Sequence, residues 1–288
     1  MEYKHIFFQS FVDYWNYLIF EITHPSFHNY FYGLVVLSVL VFILEIIIPW
    51  RKKQPIIRKD FWLDLFYLFF NFFLFSLIIY NGLSNVAAQA FTDFLALFGI
   101  KNLAAIHVQS LPIWAQYLIM FFVADFIQWN VHRLLHRFDW LWKIHKVHHS
   151  VEQMGFAAHF RFHWLETIIY KSLQYLPLAM IGFGIDDFYI VHMFAIFIGH
   201  LNHANINIDY GPLKYIFNNP KMHIWHHAKE LPYRYGVNFG ISLSLWDYLF
   251  GTAYIPKDGK DIPLGFENVE AFPDNFISQS LYPFKKEK

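Results

Sequence analysis

LPIWAQYLIMFFVADFIQWNVHRLLHRFDWLWKIHKVHHS, residues 111–150, passes from a run apolar enough to cross a bilayer into a segment with five histidines in its last nineteen positions. Leu111 to Trp129 predicts a spanning helix, because about twenty apolar residues at helical rise cover a hydrocarbon core. The histidine-rich segment stands where the chain leaves the membrane. Its histidines fall as His132-x3-His136 and His145-x2-His148-His149. Spacings of three and four put side chains on one helix face about a turn apart, so each motif presents converging imidazoles at the membrane surface.

The remaining composition agrees with a membrane protein. Of 288 residues 56% are hydrophobic and only 15% charged, where soluble chains average about 25% charged. There is no cysteine, which excludes disulfides, thiolate zinc sites, iron–sulfur clusters and thiol nucleophiles. Any metal is therefore held by nitrogen or oxygen. The formal net charge is zero, without the basic field that nucleic-acid binding relies on. No linker, repeat or low-complexity tract divides the chain, so residues 1–288 read as one integral-membrane domain, with 111–255 as its histidine-rich core. The N-terminal MEYKHIFFQS lacks the pattern of a cleaved signal peptide, and the first hydrophobic helix is expected to stay as the insertion signal.

Two further spans precede the opening stretch. Tyr30 to Ile48 is long enough to cross, and WRKKQPIIRKD after it carries five Lys/Arg, which places that loop in the cytoplasm by the positive-inside rule. Phe61 to Tyr80 comes next as a second span, with Asp64 and Asn71 inside it as candidates for helix-to-helix hydrogen bonds. Asn85 to Ile100 is shorter and mixed, and reads as a helix lying in the far interface rather than crossing. Leu111 to Trp129 then returns the chain to the cytoplasmic side. Trp164 to Phe183 and Phe188 to Gly199 suggest a tilted or re-entrant hairpin, which brings His203 and the C-terminal region to the face that holds residues 132–163. The predicted fold is all-α: a multi-span bundle with a cytosolic, histidine-rich helical cap.

A second histidine group lies far along the chain, with His203 in LNHANI and His223, His226 and His227 in HIWHH. Neutral imidazole is a good ligand for iron, zinc or copper, and nine would exceed one ion's coordination number. The count argues for two metals. Lone histidines such as His5, His24, His28, His107 and His192 read as interfacial or hydrogen-bonded residues and are set aside. Metal-bound imidazole usually donates its other N–H to a carboxylate or carbonyl; Asp125, Glu166 and Asp247 are candidates for that partner.

With these residues in place, the chain resembles the fatty acid hydroxylase superfamily, also called the sterol desaturase family, over about residues 40–255. The boxes H-x3-H, H-x2-HH and a late H-x2-HH appear in order as HRLLH, HKVHH and HIWHH, with HANI at His203 as the single box before the last. Asp125 seven residues before His132, RFHWLE (161–166) and NFGISLSLWDYLFGT (238–252) support the match. Trp164 stands where proline is usual, AKELPYRYG comes after His227 in place of a serine-led segment, and His200 precedes His203. The resemblance implies a non-haem di-iron centre, with zinc able to substitute. Its ligands would be His132, His136, His145, His148, His149, His203, His223, His226 and His227. His163, His159 and His200 are candidates for a tenth ligand or a supporting partner.

The activity that this resemblance implies is that of an O2-dependent oxidoreductase that hydroxylates or desaturates a C–H bond of a lipid such as a sterol or fatty acyl chain. No catalytic residue beyond the metal centre is required. The chain shows no dinucleotide-binding glycine motif and no cysteine cluster, so a separate electron-donor protein and reductase are implied. The site would face the cytoplasm from a bacterial inner membrane or the endoplasmic reticulum. An ether-lipid monooxygenase of the alkylglycerol type is the alternative within the class. A membrane transition-metal transporter is the alternative outside it. The C-terminal KKEK is a basic tail to which no role is given.

Overall fold

The computed structural model describes residues 2–100, 108–183 and 188–285; His107 and the last three residues of KKEK lie outside them. The regular elements of the described residues are all helices, with three isolated β-bridges and no strand. The all-α prediction holds. Three helices are long and apolar enough to cross a membrane: α2 (Tyr30–Ile47), α3 (Phe61–Ala96) and α4 (Ile113–Arg137), with mean hydropathies of 2.4, 1.9 and 1.2. They are preceded by α1 (Glu2–Thr23), a helix for which no span is predicted from the sequence.

Helix α3 departs from expectation. The stretch expected to lie separately in the far interface continues the second span without a break through Ala96. At 1.5 Å per residue this single helix is about 54 Å long, well beyond a hydrocarbon core of about 30 Å. Asn81-Gly82 resembles a turn signal, but Gly82 here serves helix packing. A Cβ on it would stand 2.6 Å from the Phe7 ring of α1, so the glycine lets α1 lie close against this part of α3. Tyr3 also donates to Asp93 at 2.7 Å, and Asn85 to Ser10 at 2.9 Å.

The middle of α3, Phe70–Leu74 and Ser76–Tyr80, is wound as π-helix. Wider turns of this kind re-aim side chains and are frequent near functional sites. Asn71, inside the first, donates from Nδ2 to the carbonyls of Phe160 and Phe162 at 3.3 and 2.9 Å. Asp64, fully buried, pairs with both Arg58 and Arg161. Neither residue joins helix to helix as anticipated; both anchor the loop at 156–163.

Beyond α4 the chain forms α5 (Asp139–His149), α6 (Trp164–Ile181), α7 (Phe188–His203), α8 (Pro220–His226), α9 (Leu245–Leu249) and α10 (Phe276–Leu281). The helices at 164–181 and 188–203 fall where the hairpin is expected. One apolar cluster joins α2, α3, the loop at 156–157 and α7 through Val41, Phe61, Phe156, Ala157 and Ile198. Another joins α4, α6 and α7 through Met120, Ala124, Leu178 and Val191. The ends of α4 and α7 are thereby fixed beside α5 and α8, which carry the remaining histidine motifs.

Candidate metal centre

Helix α4 runs through its last turns with His132 and His136 one turn apart. Phe138, extended at φ −107° and ψ 127°, breaks the helix and redirects the chain into α5. Asn219 caps α8, its side chain accepting from the Met222 N–H at 3.0 Å, and Pro220 begins the helix where its missing N–H costs nothing. This short helix presents His223 and His226, with His227 just beyond. His203 ends α7.

The nine histidines fall into two buried groups. The first holds His132, His136, His145, His149 and His226; the second holds His148, His203, His223 and His227; within each, one nitrogen from every ring lies within 4.8 Å of the others. Neighbouring residues on a helix point in directions about 100° apart. Each HH doublet is therefore split: His149 goes to the first group and His148 to the second, His226 to the first and His227 to the second. The doublets hold the groups side by side, with His149 and His227 stacked at 4.5 Å between ring centroids.

Hydrogen bonds fix the tautomers. His148 Nδ1 donates to the Arg161 carbonyl at 3.0 Å and His203 Nδ1 to the Gly199 carbonyl at 2.8 Å. A carbonyl only accepts, so both protons sit on Nδ1 in the neutral rings. The two Nε2 atoms nevertheless lie 3.2 Å apart, lone pair against lone pair. In the first group His132 Nδ1 donates to Phe239 O at 2.7 Å, His145 Nδ1 faces Glu166 Oε2 at 2.9 Å, and their Nε2 atoms are 3.1 Å apart. His226 Nδ1 donates to Val237 O at 2.8 Å, while His136 Nε2, His149 Nε2 and His226 Nε2 are buried with no hydrogen-bond partner. A cation among them would relieve both the facing lone pairs and the unpaired nitrogens. The donor set thus fits transition-metal ions that accept imidazole.

Burial also keeps the rings neutral. It pushes His148 down to about 4, and His145, His149, His223, His226 and His227 well below the usual imidazole range. Neutral imidazole is the form that binds metal.

The carboxylates divide in role. Glu166 meets His145 directly. Asp125 touches no histidine of either group; it accepts from the backbone N–H of Ser242 and Leu243 and from Trp246 Nε1 at 2.9–3.3 Å, tying the 238–252 segment to α4. Asp247 accepts from Trp129 Nε1, Thr252 Oγ1 and the N–H groups of Phe239 and Gly240. It acts one step removed, by holding the residue whose carbonyl orients His132. Of the three further histidines, His163 turns away, with Nε2 2.8 Å from Ser280 O. His200 lies 3.2 Å from Ser38 Oγ. His159 stacks on His203 at 5.2 Å and 29° but stands outside both groups.

Sequence spacing did not reveal Arg161 as a positioning residue. Its guanidinium, 1% exposed, is held by Asp64 ninety-seven residues away, so its carbonyl is fixed toward His148. An arginine in the RFHWLE segment and an aspartate in an apolar helix were each visible, but not their pairing. Trp142 was also missed: its ring lies 5.0 Å from His136 and 5.1 Å from His149, closing the first group on one side.

A cavity of about 190 Å³ opens beside both groups, lined by His132, His145, His148, His203 and His223 and by Phe160, Phe162, Ile196 and Ile241. It extends between α4, α6 and α7, so a bound molecule would reach the histidines from among these helices.

Residues 117–252 match the model of the fatty acid hydroxylase family, a region that contains all nine histidines. An ornithine lipid hydroxylase of Rhizobium tropici is 33% identical over 175 residues, 61% of this chain and 52% of that protein. An alkylglycerol monooxygenase of Xenopus tropicalis is 27% identical over 224 residues, 77% of this chain and 46% of that protein. Methylsterol monooxygenase 1-3 of Arabidopsis thaliana is 24% identical over 247 residues, 81% of each chain. The chain thus spans about half the length of the first two. No solved structure matches it. The resemblance read from the histidine boxes is borne out, and residues 117–252 carry the fatty acid hydroxylase signature.

Proposed function

We propose that this fatty acid hydroxylase region is the oxygenase centre of an integral-membrane enzyme that hydroxylates or desaturates a lipid C–H bond, using O2 and electrons from a separate protein donor. The observation that carries the proposal is the convergence of nine buried imidazoles in two groups, with the Nε2 lone pairs of His148 and His203 facing each other at 3.2 Å. His132, His136, His145, His149 and His226 would hold one iron and His148, His203, His223 and His227 the other. When bound, such a pair supplies dioxygen activation and the capacity to oxidise an unactivated C–H bond.

The chain's own part is positioning and exclusion. Backbone carbonyls hold the Nδ1 atoms of His132, His148, His203 and His226, and Glu166 holds that of His145; outer partners of this kind orient metal ligands. Phe160, Phe162, Ile196 and Ile241 give the cavity an apolar wall beside the histidines, which keeps bulk water from the reacting carbon. The relatives' names place their substrates among lipids, an ornithine lipid, an alkylglycerol and a methylsterol, and a lipid is the substrate class proposed here. The basic loop at 51–59 and the charged segment after α4 support a site facing the cytoplasm. Buried rings locked to backbone carbonyls favour a resident metal pair over the exchangeable site that a transporter needs.

The test joins metal analysis with lipid mass spectrometry. The purified chain is expected to hold two irons, and cells expressing it to contain an oxygen-dependent hydroxylated or newly unsaturated lipid that deletion of the gene removes. Loss of all metal on gel filtration, or an identical lipid profile with and without the gene, would overturn the proposal.

A further inference from the structure

The cavity continues away from the histidines along α6. Glu166, which holds His145, lines it, and so do Lys171 and Gln174. At helical rise these stand about 7.5 Å and 12 Å beyond Glu166 along the helix. Gln128 of α4 and His192 of α7 line the same end from across the cavity. Gln174 donates from Nε2 to the Ala124 carbonyl at 3.0 Å, which fixes its amide in place.

Lys171 is the only lysine or arginine among the described residues that line the cavity. In the helix WLETIIYKSLQYLPLAMI the charged residues are Glu166, committed to His145, and Lys171. The Lys171 ammonium lies 4.2 Å from the centroid of the Tyr80 ring, and among the described residues no carboxylate pairs with it. A ring face offers partial compensation for a cation and leaves its N–H donors without a strong acceptor. An ionisable group on a largely apolar helix is costly and marks a pathway or ligand by default. A hydrocarbon tail laid against this ammonium would leave its N–H donors desolvated and unpaired. An anionic oxygen group would satisfy them.

We propose that this end of the cavity binds the carboxylate or phosphate of an amphiphile, with Lys171 as counter-charge and Gln128 and Gln174 as hydrogen-bonding partners. The C–H bond presented to the histidines then lies close to the head group, within the span of one to two helical turns, rather than far down the tail. That positional consequence rests on the oxygenase reading; the binding site itself does not.

Binding of decanoate, decyl phosphate and decan-1-ol to the full chain in detergent tests the site, read by titration calorimetry and by the ligand-induced shift in unfolding midpoint. The wild type is expected to bind both anions about tenfold or more tightly than the alcohol, as a charge-assisted hydrogen bond allows. Lys171→Met should lose that preference while its binding of decan-1-ol stays unchanged, and Lys171→Arg should keep it. Equal affinity of the wild type for decanoate and decan-1-ol overturns the proposal, as does an undiminished preference in Lys171→Met. Acetate and inorganic phosphate alone should compete poorly; if they bind as tightly as the amphiphiles, the site is an ion site and the proposal fails. Bound metal on each variant reports folding. Should Lys171→Met lose its metal, Gln174→Leu and the wild-type comparison decide, since a weakened anion preference in Gln174→Leu is the expected result and an unchanged one counts against the site. No oxidation is measured, so a chain that binds decanoate through Lys171 but modifies no lipid refutes the oxygenase reading and leaves this site standing.

Discussion

The two histidine groups are built from the same motifs in opposite proportion. HKVHH sends His145 and His149, one turn apart, to the first group and only His148 to the second; HIWHH sends His223 and His227 to the second and only His226 to the first. What distinguishes the groups is their completion. The first gains two rings from the end of α4, His132 and His136, whereas the second gains His203 alone. Five rings therefore stand against four. Backbone carbonyls hold two rings in each group, His132 and His226 in the first and His148 and His203 in the second; Glu166 and Trp142 are additional supports of the first. An adjacent pair of histidines is thus a device for feeding two groups from one helix.

Breaking a doublet tests this division and carries the largest expected effect. His149→Ala removes a ring from the first group and His148→Ala from the second, one residue apart on the same helix. If the division is correct, each variant loses about half of its bound metal and nearly all oxidation, and the two retain metals that differ in spectroscopic signature. Metal analysis with Mössbauer spectroscopy of the iron-57 protein distinguishes them. Identical residual spectra from the two variants would show that the nine rings act as one undivided cluster.

Acid should act on both groups together, with a smaller effect on the folded chain at neutral pH. Burial holds His148 at about 4 in the folded protein against an ordinary value of 6.5. The unfolded chain then takes up protons that the folded chain refuses, so stability is full above pH 6.5 and is lost as pH falls toward about 4. The metal-free protein is expected to show a falling unfolding midpoint across that window and little change from pH 7 to 8. Loaded protein should resist further, because bound metal competes with protons for the same nitrogens. A flat profile for the metal-free chain from pH 7 to 4 would contradict the burial of neutral rings.

Much of this centre was legible because a metal ligand must be a particular residue type at a particular helical spacing. HRLLH, HKVHH and HIWHH announce themselves, while α4 and α7 continue beyond apolar runs that end at Trp129 and Gly199, to Arg137 and His203. The division into two groups was not legible, since it depends on which way α5 and α8 face when packed. The support network was also hidden. Asp64 and Arg161 lie ninety-seven residues apart, and carbonyls such as those of Phe239, Val237 and Gly199 have no sequence signature, because every residue has one. Asp125 and Asp247 were visible as buried carboxylates but misjudged in reach: each satisfies backbone N–H groups of the segment at 239–243 instead of an imidazole. The continuation of α3 through Asn81-Gly82 was missed for a related reason, as the glycine answers a contact with α1 that no local pattern encodes.

His159 supplies the finest test of the five-to-four difference. Its ring stacks on His203, lies with Nδ1 3.4 Å from His200 Nδ1, and lines the cavity, so a modest movement would offer the second group a fifth nitrogen. Gly199 makes this packing possible, since a Cβ there would collide with the His159 ring. As the structure stands, His159 belongs to the cavity wall. His159→Ala is therefore expected to keep its full metal content and to change metal affinity by less than the roughly tenfold that losing an outer partner costs, while widening the cavity beside His203. His203→Ala, by contrast, should lose the second metal. If His159→Ala loses metal as His203→Ala does, the second group has five rings like the first, and the inequality between the groups is only apparent. If it does not, the second group keeps four rings, and His159 remains part of the cavity wall beside His203.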